Sequence, residues 1–406
     1  MKMVNFVEGA MPRKGGIGIV GIPVILGGTA SRGHQIVVIM SGPPLPGREE
    51  YFVSGVREAT RRSHGKGYLG IISYPAWDAW AFSPRLISKL GSVWKLTREA
   101  DVIGLHSMYS FPVFLGYLIA RLQRKPYVMW LHGVLAPVQR KISSRRKWFY
   151  DRLIARRILK RASVIFFTAR GERQEVDSLG LATPSVVVPT GFPAHEFLTL
   201  PEKGSFRARY LQGHDGPVLL FLARLNAKKG IELLLQTMAR IAAVRPDVKL
   251  AIVGPPDPPA YEEKVRRWVQ EYHLEKSAIM TGPVSPKARM EALADSDIFV
   301  FPSEAENFGF AVFEAMASRV PVVVSNTLNY AQEIQQVGAG FSVPRNVDSF
   351  ADAVLRLLDN PQLRREMGEK GLQMAFRYSS EETGGKVERV LNSVMNALPL
   401  PADLSL

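Results

Sequence analysis

Two carboxylates, Glu306 and Glu314, flank a glycine in the window Ile298-Phe-Val-Phe-Pro-Ser-Glu-Ala-Glu-Asn-Phe-Gly-Phe-Ala-Val-Phe-Glu-Ala-Met-Ala. The apolar run ending at Pro302, the polar loop 303–307 and Gly309 read as strand, loop and helix start. The free N–H groups and positive dipole end of such a helix can hold a phosphate. Glu306 then sits in the loop and Glu314 in the second turn, where one faces a crevice and the other reaches a sugar hydroxyl; ordinary solvent-facing acids would look the same. A second candidate follows the run Leu219-Leu-Phe-Leu-Ala, where Arg224 leaves a strand and Lys229 precedes a helix. Two cations at a strand end suit a diphosphate, although a solvated basic loop needs no ligand.

Weaker signals lie in the first half. Arg13-Lys-Gly-Gly-Ile-Gly is a glycine-rich turn in which Gly15 and Gly16 let backbone approach a ligand, but it is not a full G-x-G-x-x-G fingerprint. His132 stands where the run ending in Trp130-Leu meets Gly133, and His106 occupies the equivalent end of the preceding run. Each suits a core or capping role alone, while two at successive strand ends also suit a site. Asp295-Ser-Asp297 has a spacing that can hold Mn²⁺ or Mg²⁺, yet it precedes a strand, the wrong end for a crevice, and reads as structural.

Positioning these residues requires alternating strands and helices. Apolar runs bounded by turn residues fall at 3–7, 35–40, 69–73, 101–105, 127–131, 163–167 and 185–188, and again at 218–223, 248–253, 278–281, 298–301 and 321–324. Helical periodicity lies between them, as in Ile231–Ala243 and Tyr261–Tyr272. That pattern predicts two doubly wound parallel α/β halves with a boundary near residue 200. The segment 15–31 could pass for a signal peptide's apolar region, but its six glycines and Pro23 between two strands make it the helix of a βαβ unit. Gly21, Pro23, Gly27 and Gly28 predict that this helix is short, kinked or mobile. The last segment, 380–397, has helical spacing and can pack on either half.

The 406 residues, 46% of them apolar, are enough for two or three cores. Cysteine is absent, which excludes disulfides, thiolate zinc sites, iron–sulfur clusters and a thiol nucleophile. The net charge of +15 favours anionic partners. Much of it lies in residues 140–161, where ten Lys or Arg face one acid, Asp151. At about 100° per residue, Trp148, Ile154, Ala155, Ile158 and Leu159 form an apolar stripe opposite Arg152, Arg156, Arg157, Lys160 and Arg161. Phe149 and Leu153 fall inside the basic arc, which fits a helix on an anionic bilayer as well as it fits a solvated face. No nucleic-acid-binding motif accompanies the run.

The set formed by the Gly15-Gly16 turn, His132-Gly133, Arg224 with Lys229, the loop Gly282-Pro283-Val284, and Glu306 with Glu314 resembles the GT-B glycosyltransferases, specifically retaining family 4, the glycosyl transferases group 1. The resemblance runs in order along nearly the whole chain. It implies two Rossmann-like domains facing a central cleft: 1–199 on the acceptor side, 200–377 for the nucleotide sugar, and 378–406 as a C-terminal helix and tail that can cross back to the first. It implies that Arg224 and Lys229 bind the donor diphosphate and that Glu314 binds the ribose. Glu306 and the Asn307-Phe308-Gly309 backbone would hold the donor sugar, Gly282 and Val284 lie by the base, and His132 sits at the reacting carbon. His106 is an acceptor-side candidate, and Phe149, Arg152, Leu153, Arg156 and Lys160 are membrane-contact candidates.

The expected activity is transfer of a hexose-type sugar from a UDP- or GDP-sugar to a lipid-linked or glycan acceptor, with retention, in glycoconjugate or cell-surface polysaccharide assembly. No metal and no resident cofactor are expected. The expected setting is cytoplasmic, at most peripheral on the membrane's cytoplasmic face, with no nucleic-acid partner. The rival readings are a nucleotide-sugar epimerase or phosphorylase of the same architecture, or a non-catalytic basic protein on membrane or nucleic acid.

Overall fold

A computed structural model of the chain describes residues 1–8, 22–41, 67–74, 76–77, 80–134, 150–169, 172–173, 180, 182–306 and 308–405. It divides into two compact units, Met1–Phe192 with Ser380–Leu406, and Pro193–Ser379.

The first unit is built on β1 (Lys2–Glu8), β2 (Gln35–Ser41), β3 (Tyr68–Tyr74), β4 (Val102–His106), β5 (Tyr127–Trp130), β6 (Val164–Phe167) and β7 (Ser185–Val187). They form one sheet in the order β3-β2-β1-β4-β5-β6-β7, with every neighbouring pair parallel. The apolar runs are nearly continuous because both sheet faces are covered. On one face Leu86, Val93, Phe111, Tyr117, Ile158 and Leu159, from helices, pack on Phe6, Ile39, Leu105 and Met129. On the other, Ile25 and Leu26 join Val387, Val390, Leu391 and Leu404 over Val38, Val128 and Phe166.

The helix that the sequence predicts to be short is Ile22–Ala30, nine residues long. Pro23 lies in its first turn, where a missing N–H costs nothing. Its glycines admit a close neighbour: a Cβ on Gly28 would meet the Ser380 carbonyl oxygen at 1.8 Å, and one on Gly384 would meet the Gly28 carbonyl carbon at 2.2 Å. The helix Ser380–Met395 therefore packs on Ile22–Ala30 and belongs to the first unit.

The second unit holds β8 (Val218–Leu222), β9 (Lys249–Val253), β10 (Ala278–Gly282), β11 (Ile298–Phe301), β12 (Val322–Ser325) and β13 (Gly340–Val343), in the order β10-β9-β8-β11-β12-β13. These pairs are parallel too. The chain order reverses between β8 and β11, which places a crevice outside their carboxyl ends. In the first unit the same reversal falls between β1 and β4.

Asp295 and Asp297 belong to the scaffold. Asp295 accepts hydrogen bonds from the Gly204, Phe206 and Arg207 amides at 2.5, 2.8 and 3.0 Å, capping the helix Ser205–Tyr210. Asp297 Oδ2 accepts from Val218 N at 2.8 Å and Arg207 Nη2 at 3.0 Å. Both carboxylates thus tie the start of this unit to its sheet.

Candidate functional site

The switch point of the second unit carries the two loops singled out from sequence. After β8 the chain turns through the 3₁₀ segment Ala227–Lys229 to Gly230, which starts the helix Ile231–Val244 at φ 71°. A Cβ on Gly230 would lie 2.3 Å from the Pro302 carbonyl oxygen, so only glycine lets this turn touch the loop after β11. That contact delivers Lys229 to Glu306: the ammonium pairs with Glu306 Oε1, and Ser303 Oγ donates to the same oxygen at 2.7 Å. Glu304 N donates to Lys228 O at 2.8 Å, stitching the loops together. Arg224 leaves the same strand end but is half-exposed and paired with Asp257. Both cations expected on a diphosphate are occupied by carboxylates here.

Gly309 starts the helix Phe310–Ala317 at φ 69°. Its missing side chain is filled by a neighbour, because a Cβ there would lie 1.8 Å from Tyr330 Oη. That hydroxyl is enclosed and has no hydrogen-bond partner among the described residues; burial, then the nearby Glu306 charge, pushes its pKa well up, so it stays protonated. Phe308 stacks on Phe313 at 4.4 Å, which commits its ring to the core and leaves its backbone at the loop. Asn307 lies outside the described residues.

Glu314 is 5% exposed and accepts from Arg289 Nη1 at 2.8 Å. Burial raises its pKa, and Arg289 opposes the rise. Arg289 is carried by the helix Pro286–Ala294, which Ser285 caps by accepting from Ala288 N at 3.2 Å. This helix follows Gly282 and half-buried Val284, so the loop expected near a base and the acid expected on a ribose are joined through one guanidinium. Gly282, at φ 68°, accepts from Gly254 N at 3.0 Å.

In the first unit His132 stands two residues beyond β5 at φ 53°, in the left-handed region, followed by Gly133 at φ 73°. Glu172 clamps this turn, accepting from Gly133 N at 2.5 Å and from Thr168 N and Oγ1 at 2.7 and 2.8 Å. His132 Nε2 lies 3.1 Å from His106 Nδ1, and His106 Nε2 lies 3.1 Å from Asn5 Oδ1. Burial holds the His132 pKa down to about 4 and, with the His132 charge, takes His106 well below its ordinary value, so both rings are neutral at pH 7. His106 is fully enclosed. Its nitrogens lie within hydrogen-bond distance of Asn5 Oδ1 and His132 Nε2.

Gly15, Gly16 and Phe149 lie outside the described residues, as do the side chains of Arg152 and Leu153. Arg156 and Lys160 are exposed on the helix Arg156–Arg161. The preceding Asp151–Ala155 is a π-helical turn, so a wheel at 100° per residue slips there. Ala155, Ile158 and Leu159 of the apolar stripe face the core, and Ile154 packs against it. These members of the stripe serve folding, while Trp148 lies outside the described residues. No described helix is long and apolar enough to cross a membrane.

Asn5, Glu172, Arg289 and Tyr330 were not anticipated. Asn5 alone left a clear trace, a polar residue inside the run Met3-Val-Asn-Phe-Val.

Comparison with known proteins follows the same division. Residues 25–196 match the family model Glycosyltransferase Family 4, and residues 202–374 match Glycosyl transferases group 1. A D-inositol 3-phosphate glycosyltransferase of Corynebacterium glutamicum is 25% identical over 91% of this chain and 93% of its own. A phosphatidyl-myo-inositol mannosyltransferase of Mycobacterium leprae is 26% identical over 90% and 89%. The crystal structure of Anabaena HepE in complex with UDP and glucose superposes with a TM-score of 0.74 at 18% identity, covering 97% of this chain and 100% of that one, a likeness of fold.

Proposed function

The chain belongs to the family 4 glycosyltransferases of GT-B fold, and from that premise we propose that it moves a hexose from a nucleoside-diphosphate sugar to a hydroxyl acceptor with retention of configuration. The observation that carries this reading is the Lys229–Glu306–Ser303 cluster beside the Gly309 helix start at the β8/β11 switch point.

In this reading a diphosphate takes Lys229, Arg224 and the amides near Gly309 as partners. Charge developing on the leaving phosphate as the C1–O bond lengthens meets cations and N–H dipoles already in place. Glu306, released from Lys229, accepts hydrogen bonds from sugar hydroxyls. Glu314 serves the ribose, Gly282 and Val284 flank the base, and His132 in the first unit serves the reacting sugar. The acceptor oxygen bonds to C1 on the face the phosphate leaves, and the departing phosphate takes the acceptor's proton.

The Anabaena structure, with UDP and glucose, favours a UDP-hexose donor, with GDP-sugars next. The inositol-directed names of two relatives favour a polyol or lipid-linked acceptor, and with it glycoconjugate synthesis. The basic segment with Arg156 and Lys160 would then hold the protein peripherally on an anionic membrane.

The test is a panel of UDP- and GDP-sugars, read first by thermal shift and then by transfer with the stabilising donor. Lys229→Ala and Glu306→Ala should each lower kcat/KM by about a hundredfold or more with unfolding temperature nearly kept. Transfer at the parental rate in both variants would refute the assignment.

A further inference from the structure

We propose that Asn5 and His106 are positioning residues that fix His132 in the tautomer with hydrogen on Nε2, so that its Nδ1 offers a bare lone pair to a substrate hydroxyl. The proposal rests on the glycosyltransferase reading for the hydroxyl, and on hydrogen-bond geometry alone for the tautomer.

The chain of donors starts at a group with no choice. Asn5 Nδ2 faces the Val37 carbonyl oxygen at 3.4 Å, and a carbonyl can only accept. The amide oxygen of Asn5 is thereby turned to His106 Nε2 at 3.1 Å, and an oxygen there requires the proton to sit on that nitrogen. A neutral imidazole carries one N–H, so His106 Nδ1 is an acceptor. His132 Nε2, 3.1 Å away, must then supply a hydrogen, which empties His132 Nδ1. That atom is buried and has no hydrogen-bond partner among the described residues. An enclosed lone pair left unpaired costs about 1–3 kcal/mol, a cost that an arriving hydroxyl removes.

Three features show that the relay is built into the sheet. Asn5 and Gly104 are register partners on β1 and β4, the pair at the switch point. A Cβ on residue 104 would lie 2.0 Å from Asn5 Oδ1, so glycine makes the space the amide occupies. The His106 ring stacks on Trp130 at 4.5 Å and 4°, and Trp130 stacks on Phe166 at 4.2 Å, which holds the imidazole plane in line with both partners. The carboxylate that clamps this turn, Glu172, accepts from the Gly133 and Thr168 amides and the Thr168 hydroxyl.

The tautomer can be read directly. In a long-range ¹H–¹⁵N spectrum of the full chain labelled on its seven histidines, His132 is assigned as the signal lost in His132→Gln. The expected pattern is a protonated Nε2 and a bare Nδ1; the opposite pattern overturns the relay, whether or not transfer is observed. His106→Phe keeps the ring stack and removes both nitrogens. It should leave His132 in a mixture of tautomers and lower kcat by about tenfold or more, with the KM for the donor nearly unchanged. Asn5→Leu, which leaves His106 in place, should do the same, and covers the case in which the first variant does not fold. Either folded variant transferring at the parental kcat, or keeping a single His132 tautomer, overturns the positioning role.

Discussion

At the scale of single residues, the candidate groups of each unit are held by neighbours within that unit. Lys229 and Glu306 neutralise each other, Arg289 balances Glu314, and the two histidines share one hydrogen. A ligand therefore exchanges partners with existing pairs and does not fill bare charges, so a diphosphate competes with Glu306 and Asp257 for its cations. The neutral histidines have a consequence for stability. Both bind protons more weakly folded than unfolded, where their pKa is near 6.5. As pH falls below about 6.5 the unfolded chain takes up protons first, so stability contributed by the buried rings is lost progressively toward pH 4, and above pH 7 they contribute no slope. Urea unfolding at pH 7.5 and 5 should show a smaller loss at pH 5 in the double variant His106→Phe, His132→Phe than in the parent. An equal loss in the two chains would show that these rings are not held neutral.

At the scale of elements, close approach explains positions that propensity alone marks as faults. Gly28 and Gly384 weaken their helices by about 1 kcal/mol each relative to alanine, yet they let Ile22–Ala30 and Ser380–Met395 pack backbone to backbone. Gly384→Ala should lower stability by about 1–3 kcal/mol, because its methyl would press on Gly28 backbone that cannot move aside as a side chain would. Thermal unfolding checks this, and an unchanged midpoint would mean that the two helices can separate freely. The strands were legible for a simple reason: β4 and β11, covered on both faces, are unbroken apolar runs, and their ends fixed His106 and the Glu306 loop. The pairing of Arg289 with Glu314, and of Tyr330 with Gly309, was not legible, since helix spacing says nothing about a partner on another element. In the basic segment the wheel's arcs hold where they are described, with Ala155, Ile158 and Leu159 in the core and Arg156 and Lys160 exposed, although the π-helical turn Asp151–Ala155 breaks the 3.6-residue period on which a wheel depends.

At the scale of the molecule, the excess charge of +15 is unevenly placed. In the first unit, helices Leu90–Arg98, Phe111–Leu122 and Arg156–Arg161 contribute to one core beneath the same sheet face. The exposed residues of these three helices include Trp94, Leu118 and Leu122, the last 71% exposed, as well as Lys95, Arg98, Arg121, Arg156 and Lys160. Apolar side chains standing among cations match an anionic bilayer on two counts: cations lower their energy in its surface potential by about 1 kcal/mol each, and leucine or tryptophan gains by leaving water. A face solvated for solubility alone would gain only from the charge. The two cases separate in flotation assays with the full chain. Binding to phosphatidylglycerol vesicles and not to phosphatidylcholine vesicles is expected, weakening as salt rises above about 0.15 M. Arg156→Glu with Lys160→Glu should weaken binding at every salt concentration, and Leu122→Ser should weaken the part that persists at high salt. Equal binding to both vesicle types, or none to either, would assign this face to solvent.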